Sequence, residues 1–183
     1  MADDINYLDR NEFNFEPSPE VVKAIKDFDV NKLCFYTRLY DEGKKSIFSI
    51  ALAEDYGVDE SQVVLGYGAE DILKQAVHFF LTETPGRNTM LIPQYSWWYY
   101  QSIADEVDGR TLQYSVNEEE DGFAYNFEAL RRSIEEHRPK VVLVASPNNP
   151  TGNGLTPDEL DRLGQLTPTD TIILVDEAYA SFV

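Results

Sequence analysis

Cysteine is nearly absent from this chain: Cys34 is the only one in 183 residues. A disulfide framework and a thiolate metal cluster are therefore both excluded. Basic residues are scarce as well, with 15 Lys and Arg against 33 Asp and Glu and a formal net charge of -18. Binding a polyphosphate backbone needs a basic face, so the charge balance argues against nucleic acid as a partner. Histidine occurs only at 78 and 137, both inside helical patterns, where surface or packing roles are the expectation. No uninterrupted apolar run approaches membrane-spanning length, and the opening MADDINYLDRNEF lacks the basic and then apolar stretch of a signal peptide. These absences point to a cytoplasmic protein without a membrane partner.

What is present is a globular composition, 43% hydrophobic with 13% aromatic residues, enough for one domain with a real core. Helical and strand-like patterns alternate from about Pro17 onward, the sign of α/β architecture. Pro17-Ser18-Pro19 opens a helix over 20–28, and a second, around Ile47 to Glu54, ends at Gly57. Val63-Val64-Leu65 reads as a short extended run, followed by a helix after Gly68 with Ile72, Leu73, Ala76, Val77 and Phe80 on one face. Residues 89–92 read as a strand, 96–107 as a helix, 111–116 as a strand, 117–122 as an acidic turn and 127–137 as a helix. The apolar runs 141–145 and 171–175 read as strands buried on both faces, the second central in the sheet. Between them Thr156-Pro157-Asp158-Glu159 supplies a hydroxyl N-cap, a proline at the first position and acids in the first turn of a helix reaching about Leu166. A parallel sheet covered by helices follows, although the strand order does not.

Chemistry concentrates where the two buried runs end, at the carboxyl ends of strands, where open α/β sheets hold ligands. Ser146-Pro147-Asn148-Asn149-Pro150-Thr151-Gly152 leaves the first, and its prolines and glycine hold the asparagine amides in place. Asp176 ends the second, where a carboxylate losing hydration needs a cationic partner. A protonated pyridine nitrogen is one such partner. Tyr179, three residues on, can bring its hydroxyl to the same ligand. A nucleotide-phosphate metal role for Asp176-Glu177 would need a G-x-x-x-x-G-K-[ST] loop, and no such loop occurs. Gly66-Tyr67-Gly68-Ala69-Glu70-Asp71 places glycines before a helix, where backbone N–H groups can face an anion; read alone, it is equally a plain helix start.

Taken together, SPNNPTG followed by VDEAY resembles the fold-type-I pyridoxal-phosphate aminotransferases of class I/II, most closely the histidinol-phosphate aminotransferase group. The resemblance runs nearly end to end. Asn11-Glu12 through Pro17-Ser18-Pro19 keeps the register of that group's N-E-N-P-x-x-P-S-P segment, with Phe13 and Asn14 as departures. Tyr40 sits where the group has the tyrosine of R-Y-P, with Asp41 in place of the proline, and Pro93-Gln94-Tyr95 matches its P-x-[YFW].

The resemblance implies a three-layer α/β sandwich with a mostly parallel central sheet, the large domain of a fold-type-I pyridoxal-phosphate transferase. It implies an N-terminal arm and first helix over 1–40 and a cofactor-binding large domain, incomplete, over 41–183. The implied cofactor is pyridoxal 5′-phosphate. Its phosphate would meet Gly68, Ala69 and Glu70 through their backbones and Tyr40 from the partner subunit of a homodimer. Its ring would stack on Tyr95 with the nitrogen against Asp176, and its 3′-oxygen would meet Asn149 and Tyr179. The other aromatic residues of the 95–100 run are assigned to packing.

The implied reaction is transamination between an amino acid, or an amino-acid derivative such as histidinol phosphate, and a 2-oxo acid. The Schiff-base lysine belongs to an S-K-x-x-G-L-x-G-x-R segment expected beyond Val183, and the seven lysines present, Lys23, Lys26, Lys32, Lys44, Lys45, Lys74 and Lys140, each suit a solvated face or strand entry. No catalytic residue is therefore assigned, and the chain taken alone is expected to be inactive, to expose apolar surface and to associate. Decarboxylation of an amino-acid phosphate and a non-catalytic binding or assembly module are the alternatives. A dinucleotide-binding reading fails for want of G-x-G-x-x-G after a first strand.

Overall fold

A computed structural model of the chain describes residues 9–36 and 42–182. They fall into two compact units, Met1–Val63 and Val64–Val183. The first carries helix α1 (Pro19–Lys26), opened by Ser18, whose Oγ accepts from the Val21 N–H. Helix α2 (Ile47–Tyr56) starts with a capping box in which Ser46 and Ser49 satisfy each other's backbone, and it ends at left-handed Gly57. Glu60 is buried against this start: Oε1 accepts from Ser49 Oγ at 2.6 Å and from the Lys45 N–H at 2.9 Å, and the Lys45 ammonium lies 3.3 Å from Oε2. Several large apolar side chains of this unit, Phe13, Phe15, Ile25, Leu33 and Phe35 among them, are exposed.

The second unit is an α/β sandwich. In chain order it comprises α3 (Ala69–Glu83), β1 (Thr89–Pro93), α4 (Tyr99–Asp105), β2 (Arg110–Tyr114), β3 (Val116–Glu119), β4 (Gly122–Tyr125), α5 (Phe127–His137), β5 (Val141–Ala145), α6 (Pro157–Leu166) and β6 (Ile172–Asp176). Strands β2-β1-β5-β6 form a parallel sheet in that order, and β3 and β4 form a separate antiparallel hairpin.

Side chains alternate across a strand, so each central strand serves two cores. Met90, Ile92, Val141, Leu143 and Ala145 face the layer of α3 and α4, meeting Leu73, Val77 and Leu81 at helical spacing and Tyr100, Ile103 and Ala104. Leu91, Val142 and Val144 face the opposite layer, against Leu130 and Ile134 of α5 and Leu163 of α6. Every residue of β5 is buried, which accounts for its unbroken apolar run. Fully burying a Val or Leu is worth about 1.5–3 kcal/mol, so these two clusters supply most of the cohesion. The three-layer sandwich with a mostly parallel sheet is thus the observed fold.

Four expectations change. Strand β6 is half-buried rather than buried on both faces, because among the described residues β5 is its one neighbour in the sheet. The acidic segment 117–122 is mostly strand: Val116 pairs with Tyr125 and Glu119 with Gly122, leaving only 120–121 to turn. Backbone pairing outweighs charge there because Val116 and Tyr125 are buried while Glu118 and Glu119 face outward. Helix α4 starts at Tyr99 rather than Ser96, because the turn that leaves β1 through Tyr95, at a left-handed φ of 58°, extends to Trp98. Val63 is extended, but 63–65 joins no ladder. No helix among the described residues is long and apolar enough to cross a membrane.

Candidate functional site

The carboxyl ends of β5 and β6 lie side by side, with Ala145 level with Asp176 and the Ser146 N–H donating to the Asp176 carbonyl at 2.8 Å. The loop after β5 folds on itself. The Asn148 N–H donates to the Asn153 carbonyl, the Gly152 N–H to the Asn148 carbonyl, and the Leu155 N–H to Ser146 Oγ. Gly152 sits at φ 76°, a conformation that favours glycine. The two asparagines separate here. Asn148 is buried and structural, its amide donating to the Tyr95 carbonyl at 2.9 Å and to Thr151, whereas Asn149 is half-buried and faces a cleft.

That cleft, about 100 Å³, brings Asn149, Asp176 and Tyr179 together with Ala69 and Glu70 from the start of α3. Its remaining walls are Trp97, Tyr100, Pro147 and Ala178. It is smaller than the roughly 300–1,000 Å³ usual for small-molecule sites. An apolar recess of about 290 Å³ between α3 and β6 shares Ala69, Asp176 and Ala178 with it.

Five of the residues singled out in the sequence, Ala69, Glu70, Asn149, Asp176 and Tyr179, therefore line one cleft. Gly68 precedes it as the N-cap of α3 at φ 88°, and lacking a side chain it makes no cap bond to the first-turn N–H groups. Gly66 is held close by the turn: a Cβ there would come within 2.7 Å of Asp71 Oδ2, which accepts from the Tyr67 N–H at 3.0 Å. That N–H holds the Asp71 carboxyl below the usual carboxylate range. Tyr95 is not among the cleft residues. Its hydroxyl donates to Glu118 of β3 at 3.1 Å, which pushes the phenol up, and its ring packs edge-on to Phe123 of β4. Tyr40 lies outside the described residues.

Two residues assigned to packing reach the cleft instead, Trp97 and Tyr100. Tyr100 is 2% exposed and its hydroxyl donates to Asp176 Oδ2 at 2.7 Å; burial, and then this hydrogen bond, push its phenol far above the ordinary range. The other carboxylate oxygen, Oδ1, accepts from the Ala178 N–H at 3.0 Å. No signal in the sequence singles out Tyr100, since which of the five aromatic side chains over 95–100 turns inward depends on where α4 starts.

Among the described residues the cleft contains two carboxylates and no lysine or arginine. Lys74 is spent on Glu106 at 2.6 Å, and Lys140, at the opposite end of the strands, on Glu83 at 2.8 Å. The arrangement is suited to a ligand that carries a positive centre opposite Asp176 and an oxygen opposite Asn149 and Tyr179.

The description that matches this sequence, over residues 3–183, is "Aminotransferase class I and II". Among curated proteins, histidinol-phosphate aminotransferase of Shouchella clausii is 33% identical over 174 residues, 94% of this chain and 44% of that protein. The same-named protein of Ruminiclostridium cellulolyticum is 29% identical over 175 residues, 96% of this chain and 47% of that protein. The chain spans less than half the length of these relatives. Among solved structures, histidinol-phosphate aminotransferase from Sinorhizobium meliloti in complex with pyridoxal-5′-phosphate superposes at a TM-score of 0.73, with 20% identity over 90% of this chain and 41% of that one. Cystalysin from Treponema denticola, which contains the same cofactor, gives 0.74 at 17% identity, with 90% and 41% covered. At these identities the structural likeness speaks for the fold, while the match over residues 3–183 decides the family: this chain belongs to the class I and II aminotransferases.

Proposed function

We propose that the chain is the cofactor-binding part of a pyridoxal-phosphate-dependent aminotransferase that acts on an amino acid or an amino-acid derivative such as histidinol phosphate, with a 2-oxo acid as the second substrate. The observation that carries this reading is the convergence of Asn149, Asp176 and Tyr179 on the uncapped start of α3 around one cleft.

The residues present fit the cofactor on two grounds. Asp176 is a carboxylate held by two donors with no ion pair among the described residues, which suits a protonated ring nitrogen. The first turn of α3 offers backbone N–H groups with no side-chain cap, which suits a phosphate. When bound, the cofactor supplies an electron sink in its pyridine ring. Asp176 would keep the ring nitrogen protonated. The Asn149 amide would donate to the 3′-oxygen, and the Tyr179 hydroxyl would reach the same atom. Gly68, Ala69 and Glu70 would receive the phosphate through their backbones. Trp97 lines the cleft, and Tyr95, assigned to stack on the ring, has its hydroxyl on Glu118.

In this reading residues 1–40 form an arm and 41–183 the cofactor-binding domain, Tyr40 reaches the phosphate of the partner subunit in a homodimer, and the Schiff-base lysine belongs to a segment outside these residues. Titration of the chain with pyridoxal phosphate, followed by protein fluorescence, is expected to saturate. Asp176→Ala is expected to weaken binding by a factor of about 10 or more, the size expected for loss of a charge-assisted contact. Binding that ignores Asp176→Ala and Asn149→Ala alike would refute the assignment.

A further inference from the structure

Resting on the reading of Asp176 as the partner of the ring nitrogen, we infer that Tyr100 is the positioning residue of this site: its hydroxyl holds the Asp176 carboxylate in the plane and orientation that the cofactor ring requires.

The geometry is specific. Tyr100 lies in the first turn of α4 with its ring inside the core between α3, α4 and the sheet, beside Ile103 and Met90. Trp97 packs edge-on against it at 5.7 Å between centroids. A ring clamped in this way has few rotamers, and its hydroxyl meets Asp176 at the cleft. There it donates to Asp176 Oδ2, while the Ala178 N–H claims Oδ1 from the loop after β6. Two donors on different oxygens fix the rotation of a carboxylate about its Cβ–Cγ bond. Each oxygen keeps a second lone pair for a ligand.

The chemical identity of the donor matters as much as its position. Arginine or lysine at this place would also orient Asp176, but it would neutralise the carboxylate and compete with a protonated ring nitrogen. A phenol orients without neutralising. Burial keeps this phenol protonated and therefore always a donor. The carboxylate thus stands ready at the end of a half-buried edge strand, where the strand alone would leave it free to rotate.

Three variants of the chain test this: Y100F, D176A and the double variant. Pyridoxal phosphate affinity is measured for each by fluorescence, and the Asp carboxyl carbons are observed by NMR without ligand. Y100F is expected to weaken binding by roughly three- to tenfold, as for one lost hydrogen bond to a charged group. In the D176A background the same change is expected to have no further effect. Without ligand, Y100F is expected to displace the Asp176 carboxyl resonance, identified by its loss in D176A. A lower melting temperature for Y100F with unchanged affinity would show a packing role only and overturn the inference. So would equal losses from Y100F in both backgrounds. Failure of the unmodified chain to bind pyridoxal phosphate overturns the reading of the site and the positioning role with it, whereas binding without Tyr100–Asp176 coupling overturns the positioning role alone.

Discussion

Removing one hydroxyl from either of two neighbouring buried tyrosines is expected to change stability in opposite directions. Tyr114 ends β2, and Tyr125 ends β4; they are 1% and 5% exposed and their rings lie 6.4 Å apart. The Tyr125 hydroxyl donates to the Ala145 carbonyl at the end of β5. The Tyr114 hydroxyl is buried with no hydrogen-bond partner among the described residues, and burial pushes its phenol well above the usual value. A buried polar group without a partner costs about 1–3 kcal/mol, whereas a satisfied one contributes about 1 kcal/mol net. Tyr114→Phe is therefore expected to stabilise the chain by about 1 kcal/mol, and Tyr125→Phe to destabilise it by a similar amount. At this chain length each kcal/mol corresponds to about 2–4 °C in melting temperature. Thermal unfolding followed by near-ultraviolet circular dichroism reads both. A Tyr114→Phe variant that melts below the parent chain would refute the reasoning, since it would mean that the hydroxyl has a partner worth more than its desolvation.

Acid should unlock the first unit through Glu60. Its carboxyl is held down to about 2 by the Ser49 hydroxyl first and the Lys45 backbone N–H next, against an ordinary 4.5. A depressed folded-state value means stability that is present above about 4.5 and lost as pH falls toward 2, so Glu60→Gln is expected to flatten the urea midpoint against pH over that window. An unchanged slope would count against it. Gly152→Ala meets open space but forces an alanine to φ 76°, and is expected to cost about 1–2 kcal/mol in denaturant unfolding. A neutral result there would show that the loop after β5 relaxes freely.

Local chemistry made the helix starts legible. Ser18-Pro19, Ser46 with Ser49, and Thr156-Pro157 with Glu159 each satisfy backbone N–H groups within a few residues, so the sequence carries the whole signal. Strands β1 and β5 were legible because burial on both faces leaves an unbroken apolar run. The half-burial of β6 was not, since IILVD reads like VVLVA but burial depends on neighbours, and β6 has one among the described residues. The β3–β4 hairpin hid behind its outward-facing acids, with Val116 and Tyr125 as its buried residues. In the site, Asn149, Asp176 and Tyr179 were legible from strand ends and spacing. Tyr100 and Trp97 were not, because six consecutive residues with five aromatic rings do not say which ring turns inward until the first residue of α4 is known.

The charge of the cleft narrows what can bind there. In a chain of net charge -18, a cleft lined by Glu70 and Asp176, with no basic side chain among the described residues, repels a simple anion. Glu70 lies near Tyr99, whose phenol is pushed up by burial first and by the Glu70 charge next. Among the described residues Asp176 accepts from neutral donors alone. A ligand with a phosphate must therefore meet backbone N–H groups at the start of α3 while offsetting Asp176 with a positive centre of its own. Pyridoxal phosphate with a protonated ring meets both demands at once, and pyridoxal, which lacks the phosphate, meets only the second. The ratio of their affinities for the chain consequently measures the α3 contribution apart from that of Asp176, and D176A should weaken both ligands by the same factor if the two ends of the cleft act independently.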